Sequence, residues 1–195
     1  MVWISIEGSI GSGKTTVINK LHTNYSTNTV GIYREPVEDW GRCLDLFYSD
    51  QKRHAFIMQM RVNISFTDIY NRLQTKDMAI TERSSYSSRH VFGKMLNNQF
   101  ALTNIEFDLL NEMIDVTQPK TPDYFIYLKT HPNVSYNRII SRGDKPIDIN
   151  YLTNLGIYHD HIFACKPNVY VIDANASEYD VYKTVIGIIR TIKSK

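Results

Sequence analysis

The sequence predicts an α/β fold in which helices cover both faces of a five-stranded parallel sheet. Two observations lead to this prediction. Short segments rich in Ile, Val, Tyr and Phe recur along the 195 residues, and longer amphipathic segments separate them. The short segments are almost continuously apolar, as expected for strands of a parallel sheet that is buried on both faces. The alternation runs the whole length without a linker, so residues 1–195 are expected to form one three-layer domain.

The strands and helices are predicted in order from local patterns of apolar residues. The predicted strands are residues 2–7, 30–34, 78–82, 124–128 and 168–172. The predicted helices are residues 14–22, 39–48, 53–73, 84–96, 104–117, 133–142, 150–163 and 178–193. In the helix at 104–117, four apolar side chains recur at helical spacing and predict a face that packs on the core or on another helix. They are Phe107, Leu110, Met113 and Ile114.

The composition and the charge exclude several classes of protein. With 43% hydrophobic and 22% charged residues, the chain is not expected to be disordered. Lys and Arg number 22 against 20 Asp and Glu, which leaves a net charge of +2 without a long basic stripe. This balance argues against nucleic acid or an anionic membrane as the main partner. No apolar run approaches about 18 residues, so no membrane span is expected.

The cysteines and the first residues indicate the cellular compartment in which the protein is expected. Cys43 and Cys165 are too few for a disulfide framework and lack zinc-site spacing. Both are therefore expected to be buried free thiols in a reducing compartment. The apolar segment at residues 2–6 is too short for a signal-peptide core, and no arginine-rich presequence precedes it. A cytoplasmic protein is therefore expected.

A glycine-rich loop between the first strand and the first helix predicts a phosphate-binding site. Residues 8–15 read GSIGSGKT and fit the pattern GxxxxGK[ST] in its strand–loop–helix context. Backbone N–H groups in such a loop point at phosphate oxygens, and the helix N-terminus adds a partial positive charge. Lys14 can then reach the β- and γ-phosphates of ATP, and the Thr15 hydroxyl can bind Mg²⁺. The expected ATP contacts are Gly8, Ser9, Ile10, Gly11, Ser12, Gly13, Lys14, Thr15 and Thr16.

Two further segments follow the second and third strands, where open α/β sheets bind their ligands. Residues 34–40 read REPVEDW, and residues 81–89 read TERSSYSSR. With the phosphate-binding loop, the DLFYSD segment at 45–50, Gln59 and an arginine-bearing helix, they closely resemble the deoxynucleoside kinase family. That family includes insect, mitochondrial thymidine and deoxycytidine kinases, and herpesvirus thymidine kinases are more distantly similar. The resemblance covers nearly the whole chain and implies a P-loop NTPase fold.

The resemblance implies roles in phosphoryl transfer. Glu35 lies just past a strand end and before a proline, where a carboxylate can accept the proton of a 5′-hydroxyl, and the family has its catalytic base there. Arg83 would contact that hydroxyl and the transferred phosphoryl group, and Glu82 would orient or hold Mg²⁺ through water. Arg138 and Arg142 match arginines of the family's lid. Both would bind the phosphates of ATP, and Arg142 would stabilise the developing charge.

The nucleoside base is expected to be recognised further along the chain. Gln59 is a primary amide in an apolar helical segment, and its two amide orientations can match thymine or cytosine. The resemblance implies that Phe92 stacks on the base and that Trp40 walls the pocket. Phe66 and Ser88 stand where relatives that accept deoxycytidine and purines have an Arg–Asp pair, which predicts room for the methyl group of thymine. The expected substrate contacts are Glu35, Trp40, Tyr48, Gln59, Val62, Phe66, Arg83, Ser88, Phe92 and Asp160.

The chain departs from the family pattern in two places. The resemblance implies that Tyr48 binds the sugar 3′-hydroxyl, but its family partner, a glutamate, is matched here by Asp160. The shorter side chain predicts a water-mediated or less demanding contact. The second departure is in the lid, at about residues 138–150, where Asp144 with Lys145 beside it replaces an expected arginine. Turnover could therefore be lower than in relatives.

The sequence thus predicts a kinase that transfers the γ-phosphoryl of ATP, with Mg²⁺ as cofactor, to the 5′-hydroxyl of a pyrimidine deoxynucleoside. Thymidine is expected first and deoxycytidine second. One alternative is a thymidylate kinase, which also combines a P-loop, an Arg-Glu-Pro turn and a lid. Another is a catalytically inactive nucleotide-binding subunit. A homodimer through the helices at 53–73 and 104–117 is the family habit, and the apolar face around Leu110 permits it.

Overall fold

The computed structural model describes residues 1–164 and 166–194. Its strands are β1 (Val2–Glu7), β2 (Val30–Tyr33), β3 (Met78–Glu82), β4 (Tyr124–Lys129) and β5 (Val169–Asp173). They form one parallel sheet in the order β2-β3-β1-β4-β5. The predicted α/β fold is therefore confirmed, and β1 with its glycine-rich loop lies in the middle of the sheet.

The helices agree closely with the predicted ones. They are α1 (Lys14–Tyr25), α2 (Gly41–Ser49), α3 (Gln51–Leu73), α4 (Ser85–Ser87), α5 (Lys94–Asn98), α6 (Asn104–Thr117), α7 (Pro132–Ser141), α8 (Ile149–Phe163) and α9 (Glu178–Lys193). The helix predicted at 39–48 is instead a 3₁₀ turn, Val37–Trp40, followed by α2, because Gly41 takes a positive φ of 23°. The helix predicted at 84–96 is divided by a π-helical segment, Ser88–Gly93. Such segments are rare and are found mostly at functional sites.

Side-chain caps fix where the longer helices begin. Asp50 accepts a hydrogen bond from the backbone N–H of Arg53 at the start of α3. Thr103 and Glu106 form a reciprocal capping box at the start of α6. A cap of this kind stabilises a helix by about 1 kcal/mol because it satisfies backbone N–H groups that have no partner within the helix.

The sheet is buried on both faces. Ile4 and Ile6 of β1 point to the side covered by α1 and α9, whereas Trp3 points to the side covered by α3. All three are nearly inaccessible, which explains why the strands are almost continuously apolar. On the second side, the α3 residues Val62 and Phe66 belong to the same core cluster as Trp3, so α3 is held against the sheet next to the strand ends.

Two other expectations concern the cysteines and the membrane. Cys43 is a free thiol, as predicted, but it is half-buried rather than buried. Cys165, the other predicted thiol, lies outside the described residues. Among the helices of residues 1–164 and 166–194, none combines the length and the apolar character needed to cross a membrane.

Candidate active site

The phosphate-binding loop needs glycine at defined positions. Gly8 and Gly11 both have positive φ angles, of 148° and 79°. A Cβ on Gly8 would lie 2.7 Å from the carbonyl oxygen of Leu128, and one on Gly11 would lie 2.6 Å from that of Ser135. Only glycine fits such close approaches of backbone to backbone. The loop is therefore packed between the end of β4 and helix α7, with α1 starting directly after it.

Lys14 is a buried cation inside this loop. Its Nζ donates to the carbonyl oxygen of Ser9 at 2.7 Å and to the hydroxyl of Ser12 at 3.4 Å. Burial, with a smaller contribution from the Arg83 charge, lowers the pKa of Lys14 to about 7. A buried ammonium group held only by neutral oxygens favours an anion beside it.

A buried ion pair links the ends of β2 and β3. The guanidinium of Arg83 donates to the carboxylate of Glu35 and, at 3.2 Å, to the carbonyl oxygen of Gly8. Arg83 has a φ of 58°, a left-handed conformation that is strained for a residue with a side chain. Burial raises the pKa of Glu35, and the Arg83 charge opposes that rise. The pair thus presents a desolvated carboxylate held in a fixed direction.

Glu7 supports this arrangement, although it was not among the predicted site residues. Its carboxylate accepts from the hydroxyls of Ser5 at 2.6 Å and Ser84 at 3.1 Å. Ser84 directly follows Arg83, so these bonds tie the strained turn to β1. Burial raises the pKa of Glu7, and among the described residues its second oxygen has no partner.

Thr15 and Glu82 are the residues that could hold a divalent cation. The Thr15 hydroxyl donates to Glu82 Oε1 at 2.5 Å, at the edge of the phosphate loop. Within the described part of the chain, no cluster of three or more His, Cys, Asp or Glu could form an all-protein metal site. That donor set suits Mg²⁺, which usually keeps several waters and binds one or two protein oxygens together with substrate phosphates.

A single cavity of about 620 Å³ joins the phosphate loop to the space between α2, α3 and the π-helical segment. Its volume is typical of small-molecule sites. Most of the predicted site residues line it: Ile10, Gly11, Lys14, Thr15, Glu35, Trp40, Tyr48, Gln59, Val62, Phe66, Glu82, Arg83, Ser88, Phe92 and Arg142.

At the far end of the cavity, one amide and one hydroxyl lie near the apolar side chains of Val62, Phe66 and Phe92. Gln59 and Ser88 are 4% and 3% exposed, and the Ser88 hydroxyl donates to Gln59 Oε1 at 3.1 Å. The ring of Phe92 lies between this end and the ion pair, with its centre 5.0 Å from the Arg83 guanidinium carbon. Trp40 is held in the wall by a hydrogen bond from its indole N–H to Ser65.

Seven predicted site residues are not part of the cavity lining: Gly8, Ser9, Ser12, Gly13, Thr16, Arg138 and Asp160. The side chains of Asp160 and Arg138 are bonded to other parts of the fold. Asp160 accepts hydrogen bonds from the hydroxyl of Tyr127 and from Lys129, both at 2.8 Å, on the side of α8 that faces β4. Arg138 donates to the carbonyl oxygen of Ala174 at 2.9 Å, so it joins α7 to the loop after β5. Arg142 follows the last residue of α7 and lines the cavity. The two arginines therefore do not lie side by side at the cavity.

The cavity lining includes residues that the sequence analysis missed. Tyr151, in the first turn of α8, lines it, and burial raises the pKa of its hydroxyl. Asp144 and Lys145 line it from the lid, where Asp144 pairs with Arg142 at 2.7 Å and Lys145 with Asp45 at 2.8 Å. The sequence analysis named Asp144 and Lys145 only as a departure from the family pattern, not as site residues.

Comparisons with known proteins show the family to which the chain is similar. The sequence profile of a family described as deoxynucleoside kinase matches residues 4–192. A protein of Invertebrate iridescent virus 3, 029R, whose name describes it only as a kinase, is 34% identical over 190 residues, 95% of each chain. Human mitochondrial thymidine kinase 2 is 28% identical over 189 residues, 88% of this chain and 70% of that one. Mouse deoxycytidine kinase is 26% identical over 192 residues, 80% of this chain and 73% of that one.

Proposed function

This chain belongs to the deoxynucleoside kinase family, and we propose that it transfers the γ-phosphoryl of ATP to the 5′-hydroxyl of a pyrimidine deoxynucleoside, thymidine first and deoxycytidine second. The observation that supports this most is the single cavity. It joins a phosphate loop at one end to a buried amide at the other, with the Glu35–Arg83 pair along its wall. A triphosphate and a nucleoside can meet there.

The donor end supplies positive charge. The N–H groups of the glycine-rich loop bind phosphate oxygens, and Lys14 leaves the Ser9 carbonyl to bridge the β- and γ-phosphates. Arg142 enters from the lid and stabilises the charge on the phosphoryl group in transfer. Thr15 and Glu82 would hold Mg²⁺, which neutralises phosphate charge when it is bound.

The acceptor end supplies the base. The carboxylate of Glu35 accepts the proton of the 5′-hydroxyl as that oxygen bonds to the γ-phosphorus and the bond to the β–γ bridging oxygen breaks. Arg83 fixes the direction of the carboxylate and places a second cation beside the moving phosphoryl group. The raised pKa of Glu35 makes it a better proton acceptor than an exposed carboxylate.

The preference for thymidine rests on the apolar walls of the base end. Val62 and Phe66 line it and are largely buried, so a methyl group at position 5 of the base would meet hydrocarbon. Such a methyl contact contributes only about 1–3 kcal/mol, so deoxycytidine should remain a substrate. Gln59 has one donor and one acceptor end for the edge of either pyrimidine.

We assign the sugar contact to Asp144 and Tyr48 rather than to Asp160. Asp144 and Tyr48 line the same cavity, whereas Asp160 does not. Burial raises the pKa of Tyr48, and the nearby charge of Asp144 adds to that rise. Asp144→Asn should lower kcat/KM for thymidine by about tenfold, with little effect on 3′-deoxythymidine, which lacks the hydroxyl. Steady-state kinetics with both nucleosides measures this.

The matched control is Asp160→Asn, which removes a carboxylate from the side of α8 that faces β4. It should leave the ratio of thymidine to 3′-deoxythymidine efficiencies unchanged. If Asp160→Asn narrows that ratio and Asp144→Asn does not, the sugar contact belongs to Asp160.

ATP binding should be linked to the protonation of Lys14. Without ATP its pKa is lowered to about 7, and phosphate charge beside it favours the ammonium form and raises that pKa. Mg·ATP binding should therefore take up close to one proton near pH 8.5 and almost none near pH 6. Affinity should weaken roughly tenfold between pH 7 and pH 8.5. Isothermal titration calorimetry in buffers of different ionisation enthalpy measures the uptake.

Lys14→Arg is the control for this linkage, because a guanidinium stays charged at every pH used. The arginine variant should show no rise in proton uptake toward alkaline pH. Equal proton uptake by the two proteins near pH 8.5 would contradict the assignment to Lys14.

We also propose a homodimer through α3 and α6. The face around Leu110 cannot form it, because Leu110 is buried in the core of its own chain. Among the described residues, the large apolar side chains that these two helices leave exposed are instead Ile57 and Ile64 on α3 and Ile105, Leu109 and Val116 on α6. Successive members are four or seven residues apart, so each set lies on one face of its helix.

One assay separates the proposed function from its alternatives. The chain is given Mg·ATP with thymidine or with thymidylate, and ADP is measured. Faster turnover of thymidylate would support a thymidylate kinase, and turnover of no nucleoside or nucleotide would support an inactive binding subunit. The presence of Lys14, Glu35 and Arg83 in one cavity supports the nucleoside kinase.

A further inference from the structure

The buried hydrogen bond between Ser88 and Gln59 has a property that the proposed function does not use. The Ser88 hydroxyl donates to Oε1 of Gln59 at 3.1 Å. In the part of the chain that the structure describes, no protein group accepts from the Nε2 end of this amide, although Gln59 lines the cavity. The amide therefore offers the cavity an N–H donor and keeps a second lone pair on its oxygen.

Thymine and cytosine present opposite patterns along the edge that an amide can pair with. Thymine has a donor at N3 and an acceptor at O4, whereas cytosine has an acceptor at N3 and a donor at N4. An amide that pairs with both atoms of either edge must turn over when one base replaces the other. Each end of the amide can make two hydrogen bonds, so one remains at each end for the protein.

The neighbour of that amide must then suit both orientations. A hydroxyl does, because it donates to a carbonyl oxygen and accepts from an amide N–H. The other groups named at this end of the cavity, Val62, Phe66 and Phe92, are apolar and favour neither orientation. The hydroxyl of the adjacent Ser87 is already donated to the carbonyl oxygen of Ser84.

We propose that Ser88 is a positioning residue that lets Gln59 recognise either pyrimidine. Its hydroxyl donates to Oε1 in one orientation of the amide and accepts from Nε2 in the other. The bond to the protein is thus kept whichever base is bound, and the site discriminates weakly between thymidine and deoxycytidine. This inference rests on the proposed function, since it concerns the base end of the same cavity.

The test compares wild type, Ser88→Ala, Ser88→Thr and a remote control, Thr184→Ala, whose hydroxyl is exposed on α9 and donates to the carbonyl oxygen of Asp180. Wild type should use thymidine and deoxycytidine with efficiencies within about tenfold of each other. Ser88→Ala should lower kcat/KM for both nucleosides by about 3- to 10-fold through KM, with their ratio kept within about threefold. Ser88→Thr retains a hydroxyl and should restore both, and KM for ATP should not change.

Three results would overturn the proposal. A wild-type ratio above about 100 would mean that the site selects one base. A change of more than tenfold in the ratio for Ser88→Ala would mean that the hydroxyl favours one amide orientation. No loss with either nucleoside in Ser88→Ala would mean that the hydroxyl does not hold the amide. All three leave a working nucleoside kinase, whereas a wild type that phosphorylates no nucleoside overturns the proposed function itself.

Discussion

Replacing Glu35 by glutamine should lower kcat by about 10²–10⁴-fold, with a much smaller change in KM for thymidine. The amide has the shape of the carboxylate and can still accept one hydrogen bond from the 5′-hydroxyl or from Arg83. It cannot take the proton as the bond to phosphorus forms. Because the pKa of Glu35 is raised by burial, wild-type kcat/KM should fall on the acid side at a pH above the usual carboxyl range of about 4.

This fall of kcat/KM at acid pH should be absent from the Glu35→Gln variant. The control is Glu38→Gln, which removes an exposed carboxylate three residues along that pairs with Arg34. It should retain nearly full activity. A loss in Glu35→Gln of less than about threefold would show that Glu35 only shapes the turn and that the base lies elsewhere.

Replacing Lys14 by alanine should lower kcat by at least about 10²–10³-fold while leaving the fold intact. The change removes the cation proposed to bridge the phosphates but little packing, because the Nζ bonds to Ser9 and Ser12 of the loop itself. Steady-state kinetics measures the loss, and thermal unfolding checks that the variant is folded.

Lys20→Ala is the control on the same helix. Lys20 pairs with Glu178 on α9, away from the cavity, and its loss should not change kcat. If Lys14→Ala keeps near-wild-type turnover, the glycine-rich loop is not the site of the phosphoryl donor.

The sheet and the longer helices could be predicted from the sequence because burial on both faces leaves a simple pattern. The strands are apolar runs, and the bounds of α6 and α9 were predicted to the residue. Each begins at a side-chain cap, Thr103 or Ser177, that stops the helix from extending backward. The π-helical segment could not be predicted, since its residues fit an ordinary helix equally well.

Most residues that line the two ends of the cavity were predicted from motifs, but the residues of the proposed sugar contact were not all predicted. A motif match placed the acidic partner at Asp160 because it lies in the right helix, yet the rotation of α8 points that carboxylate at Tyr127 and Lys129. The short connection after α7 brings Asp144 to the cavity instead. The path of a loop depends on tertiary packing, which one sequence does not show.

The face of α6 around Leu110 packs on the core, which is one of the two outcomes predicted for it, and so is not the face left free for a partner. Leu109 and Leu110 are adjacent, and the apolar residues of α6 cover more than half of its circumference, so periodicity could not decide which stripe meets the core. The structure buries Leu110 and leaves Leu109 half-exposed.

The central claim is that this chain phosphorylates a deoxynucleoside at its 5′-hydroxyl, and the most direct measurement is the identity of the product. The chain is incubated with Mg·ATP and thymidine, and the products are identified by mass spectrometry and ³¹P NMR. The expected result is thymidine 5′-monophosphate with one ADP for each molecule formed. ADP with inorganic phosphate and unchanged thymidine, or a phosphate at the 3′ position, would contradict the account.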